Sequence, residues 1–253
     1  MNTNPNHTYF DGFYQEIWQA LIPEALTKKE ITHLLETYAL GSATKVVDLM
    51  CGYGRHSLAL ARAGIPVTAI DNLPAYIQSI EKIRQQEALP LQPICQNLLE
   101  WTPTEQYDWA LCMGNSLNFF SPMELPVLFQ KIADSLVDGG YFWINSWSLS
   151  EIALKNTMDG ETQSTPIGSF RHTNTFHLRT DPLRIEIQSR IEDENGNTEE
   201  KLAIDFLYSL AELQILLEAA GLQLLKTESI PGKKLFGSGD PRAYILIQKS
   251  RNQ

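Results

Sequence analysis

The sequence predicts an α/β fold: a mixed seven-stranded sheet with helices on both faces, plus a small inserted antiparallel sheet. Three observations carry this reading. From residue 45 to 146 short apolar runs alternate with stretches of helical periodicity, the pattern of parallel strands joined by covering helices. After residue 150 the alternation stops, and three extended stretches follow, joined by Asp181-Pro182 and Asn195-Gly196, which suit antiparallel turns. Beyond residue 208 a helix and two strands resume the first pattern. The expected organisation is an N-terminal helical segment (1–40), a core built from 41–150 and 208–253, and an inserted sheet at 151–207.

Taken in order, Thr27-Lys-Lys-Glu30 reads as a capping box opening a helix on which Ile31, Leu34, Leu35 and Tyr38 share a face. Residues 45–49 read as the first strand and 54–64 as a helix stopped by Gly64 before Pro66. Residues 67–71 form the second strand. Pro74 suits a first helical position, and Ile77, Ile80 and Ile83 keep one face apolar to about residue 87. Residues 91–95 and 109–113 are the third and fourth strands. Leu125, Leu128, Phe129, Ile132 and Leu136 then mark a helix, Asp138-Gly139-Gly140 a turn, and 141–145 the fifth strand. The inserted stretches are 169–178, 183–191 and 198–207. Ser209-Leu-Ala-Glu212 is a second capping box, opening a helix with Leu210, Leu213, Leu217 and Ala220 on one face and Gly221 at its end. Strands at 222–230 and 243–248 complete the chain.

Composition excludes several classes. The 253 residues carry 20 Lys+Arg against 30 Asp+Glu, a net charge of −10, and no basic run exceeds Lys233-Lys234. Such a surface repels phosphodiester backbones, so no nucleic-acid partner is expected. No apolar run approaches the roughly 20 residues needed to span a bilayer, and residues 1–10 are polar with no signal region. The expectation is therefore a cytoplasmic protein without a membrane partner. Cys51, Cys95 and Cys112 fall near strand ends without C-x-x-C spacing and read as buried free thiols. His172 and His177, five apart on one strand, face opposite ways, so no metal site is expected.

The most informative stretch is Val46-Val-Asp-Leu-Met-Cys-Gly-Tyr-Gly-Arg-His-Ser57, a strand, a glycine turn and a helix start. Glycine lets backbone approach a ligand, and the helix start offers unpaired N–H groups. A dinucleotide site can be aligned through Gly52, Gly54 and Ser57, with Asp71 as the ribose acid. Asp48 argues against it, because a carboxylate beside a pyrophosphate is unfavourable, whereas beside a cationic ligand it is attractive. Asp71, ending the second strand, can accept two ribose hydroxyls. The competing reading of both acids is as ordinary caps or turn formers.

Asp48 to Gly54 resembles the D-x-G-x-G-x-G motif of class I S-adenosylmethionine-dependent methyltransferases. The continuation Gly-Arg-His-Ser-Leu-Ala-Leu-Ala is similar to a bacterial small-molecule group of that family. Val67-Thr-Ala-Ile-Asp71, Tyr107-Asp108, Gly114-Asn-Ser-Leu-Asn-Phe-Phe120, Asp138-Gly-Gly140 and Tyr208-Ser-Leu-Ala-Glu-Leu follow in the family's order, as does the inserted sheet. The resemblance implies a Rossmann-like core and S-adenosyl-L-methionine as cofactor, held by Asp48, Cys51, Gly52, Gly54 and Asp71. Asn72 and Leu73 would lie on one side of the adenine and Leu98 on the other, with core packing the competing role for the leucines. The backbone carbonyl of Met113, or of Gly114, would receive the methionine ammonium. Two positions depart from the pattern. Met50 stands where the family has its first glycine, and Asn97 where an acid usually takes the adenine amino group; its carbonyl can still accept that bond.

The implied activity is transfer of a methyl group to an N, O or C nucleophile of a small molecule by in-line displacement. Orientation in a dry pocket can supply much of the acceleration, so a protein base is optional. Acceptor-site candidates are Asn115 and Ser116 after the fourth strand, with Asn115 equally readable as a turn residue. Tyr208 is a further candidate, with interdomain packing as its alternative. Tyr14 belongs to an aromatic group with Tyr9, Phe10, Phe13 and Trp18 that forms either a lid over the cofactor or a seal on the sheet. His56, at a helix start, is the candidate base, with capping or packing as the plainer role. The rival functions are a NAD(P)-dependent oxidoreductase and a non-catalytic cofactor-binding protein of the same fold.

Overall fold

The structure is a computed structural model describing residues 4–251; residues 1–3 and 252–253, the outer edges of the expected N-terminal segment and core, lie outside the described residues. Three helices, α1 (Asn6–Tyr9), α2 (Tyr14–Leu21) and α3 (Glu24–Thr37), precede the sheet. The core then runs β1 (Val46–Leu49), α4 (Arg55–Arg62), β2 (Val67–Asp71), α5 (Pro74–Glu87), β3 (Leu91–Cys95), β4 (Tyr107–Cys112), α6 (Leu125–Ser135) and β5 (Leu136–Ser146). A short helix α7 (Ser150–Asn156) leads into β6 (Thr162–Ile167), β7 (Phe170–Thr180), β8 (Leu183–Glu192) and β9 (Thr198–Phe206). The chain closes with α8 (Leu210–Ala219), β10 (Leu222–Ile230), β11 (Lys234–Leu235) and β12 (Ala243–Lys249).

The large sheet has the order β11-β10-β12-β5-β4-β1-β2-β3, and β6 to β9 form a separate four-stranded antiparallel sheet. Strands β1 to β5 pair in parallel, and β12, β10 and β11 add antiparallel at one edge. Alternate residues of the central strands enter different cores. Val47, Leu49, Ala110, Cys112, Phe142 and Ile144 pack towards α6 and α8. Val46, Val67, Ala69, Trp109, Leu111 and Trp143 pack towards α3, α4 and α5. Burial on both faces is why these strands read as continuous apolar runs. Strand order reverses between β1 and β4, so the carboxyl ends of β1, β2 and β4 open onto one crevice, the usual ligand position in such sheets. No helix among the described residues is long and apolar enough to cross a membrane.

The structure corrects several expectations. The large sheet has eight strands, because a two-residue hairpin return, β11, joins β10 at a bulge; two residues carry no periodicity to read. Asp138, Gly139 and Gly140 lie inside β5, at a register shift against β4, and Gly139 has φ +78°. They make a bulge in a long strand, so the chain turns earlier. The inserted sheet has a fourth strand, β6, whose first five residues are exposed and include Pro166, so no apolar alternation announces it. Helix α7 carries no apolar periodicity to read, since only Ile152 and Ala153 of its seven residues are buried. Helix α3 starts at Glu24, placing Thr27 and Glu30 inside it, where both side chains turn to α4 instead of capping. The capping box at Ser209 and Glu212 does form. Cys51 and Cys112 are buried, whereas Cys95 is exposed, because it sits on the edge strand β3.

Candidate active site

Strands β1 and β2 end side by side and bring Asp48 and Asp71 to the crevice. The turn after β1 passes through three left-handed residues, Met50 (φ +54°), Gly52 (φ +56°) and Gly54 (φ +80°). Met50 adopts the conformation that the missing family glycine would supply, at a steric cost of roughly 1–2 kcal/mol. Gly52 donates its N–H to Asp71 Oδ2 at 2.8 Å, and Leu73 donates its own to Asp71 Oδ1 at 2.9 Å. One carboxylate thus ties together the two loops that frame the crevice. Gly54 differs from expectation: it lies outside the cleft lining, and a Cβ there would meet the Ile80 side chain at 2.8 Å. Its need for glycine comes from the close packing of α4 on α5 as well as from its φ.

The first cleft, of about 620 Å³, is lined by Asp48, Cys51, Gly52, Arg55, Asp71 and Met113, among others. Asp48 is buried and receives the Ser57 hydroxyl at 2.5 Å on Oδ2. Burial raises its carboxyl above the ordinary value, against the opposing pull of His56, Ser57 and Arg55. Burial likewise raises Asp71, while the N–H groups of Leu73 and Gly52 oppose. The Cys51 thiol is driven well up by burial, with the charges of Asp71 and Asp48 adding, which disfavours a thiolate there. Ser57 occupies the place where a dinucleotide motif needs its third glycine. Tyr76, which no sequence motif singles out, lines this cleft with a buried hydroxyl that has no hydrogen-bond partner among the described residues. A ribose hydroxyl beside Asp71 fits both groups.

A second cleft, of about 450 Å³, adjoins the first through Met50, Asp71 and Asn72 and continues along Gln96, Asn97, Leu98 and Leu99. It has the apolar wall and polar rim that a flat heterocycle requires. Asn97 Oδ1 already receives the Leu99 N–H at 2.9 Å, so one lone pair remains for an adenine amino group. Leu73 lines the first cleft and Leu98 the second, while both also remain buried. Met113 lines the first cleft, and its carbonyl accepts the Ser116 hydroxyl at 2.8 Å. Gly114 is held by its N–H to Asn145 Oδ1 at 2.5 Å.

His56 lines the wall of the first cleft, but its Nε2 lies 3.0 Å from Glu30 Oε2. That carboxylate also receives Arg55 Nη1 at 2.5 Å and the Tyr244 hydroxyl at 2.7 Å. Burial pushes the Glu30 carboxyl up, yet His56 and Arg55 outweigh it and hold the group down at about 2. His56 therefore belongs to a buried hydrogen-bonded network around the Glu30 carboxylate.

The third cleft, of about 930 Å³, lies between the small sheet and the N-terminal helices and shares Phe10, Trp18, Gly114 and Phe119 with the first. Tyr14 lines it, with its ring edge-on to His172 at 5.4 Å. Asn115 lines it too, but in a left-handed conformation (φ +67°) with its amide engaged. Nδ2 donates to Ser148 and Asp205, and Oδ1 receives Ser146, Trp147 and Ser148. Ser116 faces the first cleft instead. Tyr208 lines none of the three: it is buried in the main core, and its hydroxyl donates to the Phe120 carbonyl at 2.7 Å. The N-terminal aromatics pack on the small sheet, with the Tyr9 hydroxyl 2.8 Å from Ser189 Oγ and Asn6 bonded through both amide atoms to Ile204. Asp205, on β9, is the acid that sequence reasoning passed over. It stands alone in the apolar run from Leu202 to Leu207, a pattern that could have marked it.

Residues 46–140 match a family model described as a methyltransferase domain. The chain is 23% identical over 213 residues to a glycine/sarcosine N-methyltransferase of Aphanothece halophytica, covering 74% of this chain and 79% of that one. Among solved structures it resembles the CcbJ methyltransferase of Streptomyces caelestis, with a TM-score of 0.83 at 14% identity over 96% of this chain and 99% of that one. It also resembles an S-adenosylmethionine-bound amino pentose methyltransferase of Micromonospora echinaspora. There the TM-score is 0.68 at 14% identity, covering 95% of this chain and 98% of the other. At such identities the structural likenesses speak for the fold.

Proposed function

The chain carries a class I S-adenosylmethionine-dependent methyltransferase domain at residues 46–140, and from that premise we propose that it methylates a small molecule bound in the third cleft. The observation that carries the site assignment is Asp71, whose two oxygens each receive a backbone N–H from the loops framing the first cleft, beside a Tyr76 hydroxyl with no partner among the described residues. In this reading Asp71 and Tyr76 hold the ribose, and Asn72, Leu73, Asn97 and Leu98 surround the adenine. Asp48, Cys51, Gly52 and the Met113 carbonyl face the methionine end. When bound, S-adenosylmethionine supplies a methyl group on a sulfonium, open to in-line attack. The residues at the junction of the clefts, Phe10, Trp18, Gly114 and Phe119, hold the attacking atom on line and exclude water. The reaction class of the relatives, small amines and sugars in their names, supports a small acceptor here as well.

Isothermal titration tests this. Wild type is expected to bind S-adenosylmethionine and to ignore NADH. Asp71→Ala should weaken S-adenosylmethionine by about 100-fold, since charge-assisted hydrogen bonds contribute roughly 1.5–3 kcal/mol each. Unchanged affinity in a folded Asp71→Ala protein would overturn the assignment, and tight NADH binding would favour the oxidoreductase. Release of S-adenosylhomocysteine under turnover separates an enzyme from a non-catalytic binder.

The small sheet at 151–207 acts as the acceptor-side cap in this reading, and the N-terminal helices close over both clefts. Trp18 lines both of them. Trp18→Ala is expected to lower S-adenosylhomocysteine affinity about tenfold, as loss of one buried aromatic contact predicts. Equal affinity in the variant would leave the segment as a seal on the sheet alone.

A further inference from the structure

One wall of the third cleft holds a buried carboxylate that lacks a counter-ion among the described residues. Asp205 is buried, and the hydrogen bonds it receives, from Ser148 Oγ at 2.6 Å and Asn115 Nδ2 at 3.0 Å, both reach Oδ2. Oδ1 has no protein donor among the described residues. Among the described residues no lysine or arginine lines the cleft. Arg242 stacks on the Trp147 ring at 5.6 Å without lining it, and Lys201 is paired with Asp11 and Glu199. A charge taken out of water needs a partner, and this one has neutral donors only.

The rest of the lining suits a cation. Tyr14, Trp18, Phe119 and Trp147 turn aromatic surface to the cleft, and such rings attract an ammonium group. On the sheet wall His172 is buried, with Nε2 lacking any partner among the described residues, two residues from Asn174 on the same face of β7. The field of Asp205 is felt across the cleft. Tyr9 is pushed up to about 12 and Tyr14 well above its ordinary value, chiefly by burial, with the Asp205 charge adding in both. The floor that carries Asn115 continues directly to Gly114, which faces the first cleft as well.

We propose that Asp205 is the acceptor-recognition residue and that the acceptor carries an amino group, bound as a cation between the Asp205 carboxylate and the aromatic wall. This deepens the methyltransferase reading and rests on it. Asn115 and Ser148 act as positioning residues, fixing Oδ2 so that Oδ1 faces the ligand. His172 offers a neutral ring nitrogen to a second polar group of the same molecule.

The test uses the full chain saturated with S-adenosylhomocysteine and two probes of nearly equal shape, benzylamine, a cation at pH 7.5, and benzyl alcohol. Tryptophan fluorescence reads binding, since Trp18 and Trp147 line the cleft. Wild type is expected to bind benzylamine at least about tenfold more tightly than the alcohol, a modest requirement for a buried charge pair. Asp205→Asn keeps an oxygen for Ser148 and Asn115 and should abolish that preference while leaving S-adenosylhomocysteine affinity within about twofold. Equal binding of the two probes by wild type, failure of benzylamine to bind, or a preference that survives in Asp205→Asn would each overturn the proposal. Failure of S-adenosylhomocysteine to bind wild type would instead strike the methyltransferase site, so the two failures are told apart.

Discussion

Glu30→Ala is expected to destabilise the fold by about 3–5 kcal/mol, the range for removing one partner of a buried ion pair. The carboxylate lies on α3 and receives Arg55 and His56 from α4 and Tyr244 from β12, so it joins three elements distant in sequence. Its removal leaves the Arg55 guanidinium, only 9% exposed, without its counter-charge. Urea unfolding at pH 7 measures the loss; a change below about 1 kcal/mol would show that the network contributes little. The pH dependence has a definite sign. The folded-state value near 2 lies below the ordinary 4.5, so the stabilisation is complete above about 4.5 and is lost as pH falls towards 2. The difference in urea midpoint between wild type and variant should therefore narrow across that window. Arg55 and His56 line the first cleft, so under the proposed assignment of that cleft to the cofactor, loss of this support should also weaken S-adenosylmethionine binding.

Asp205→Asn is expected to act in the opposite direction, raising stability at neutral pH. Burial lifts the Asp205 carboxyl from 3.8 to about 6, against the hydrogen bonds from Ser148 and Asn115. A raised carboxyl favours the protonated folded state, so the destabilisation from Asp205 is absent below about 3.8 and grows as pH rises through about 6. The shift corresponds to at most about 3 kcal/mol above that window, and a gain of about 1–3 kcal/mol in the variant at pH 7.5 is the expected result. Tyr9, Tyr14 and His172 face the same group. The tyrosines are raised and stay neutral in this range, while burial lowers His172. Taking the difference between variant and wild type cancels their common contribution. Melting temperatures at pH 4 and pH 7.5 provide the check. A variant no more stable than wild type at pH 7.5 would mean that Asp205 is not ionised against the fold.

Much of this architecture is legible because its signals are local. Pro74 and the isoleucines after it specify α5, and the runs at 67–71 and 91–95 coincide with β2 and β3, because strands buried on both faces must be continuously apolar. The glycine turn is legible for a steric reason, although the structure divides its duties differently. Gly52 bonds Asp71, Gly54 makes room for Ile80, and Met50 takes a left-handed conformation without being a glycine. What stays hidden lacks periodicity or depends on distant partners. Strand β6 is polar and exposed, and the Thr27–Glu30 spacing imitates a cap because the pull of Arg55 and His56 is invisible in a local window.

The order of motifs from Asp48 to Gly140, with the break in pattern after residue 150, was enough to specify the α/β core, its inserted sheet and the class of cofactor. Each depends on residues near one another in sequence, or on backbone conformations that few side chains allow. The third cleft is different. Asn115, Ser148 and Asp205 are 33 to 90 residues apart, and their hydrogen bonds exist only once the small sheet packs on the carboxyl end of the large one. Whether a carboxylate there is solvated or stranded without a counter-ion is a matter of desolvation, and desolvation depends on every element that closes around it.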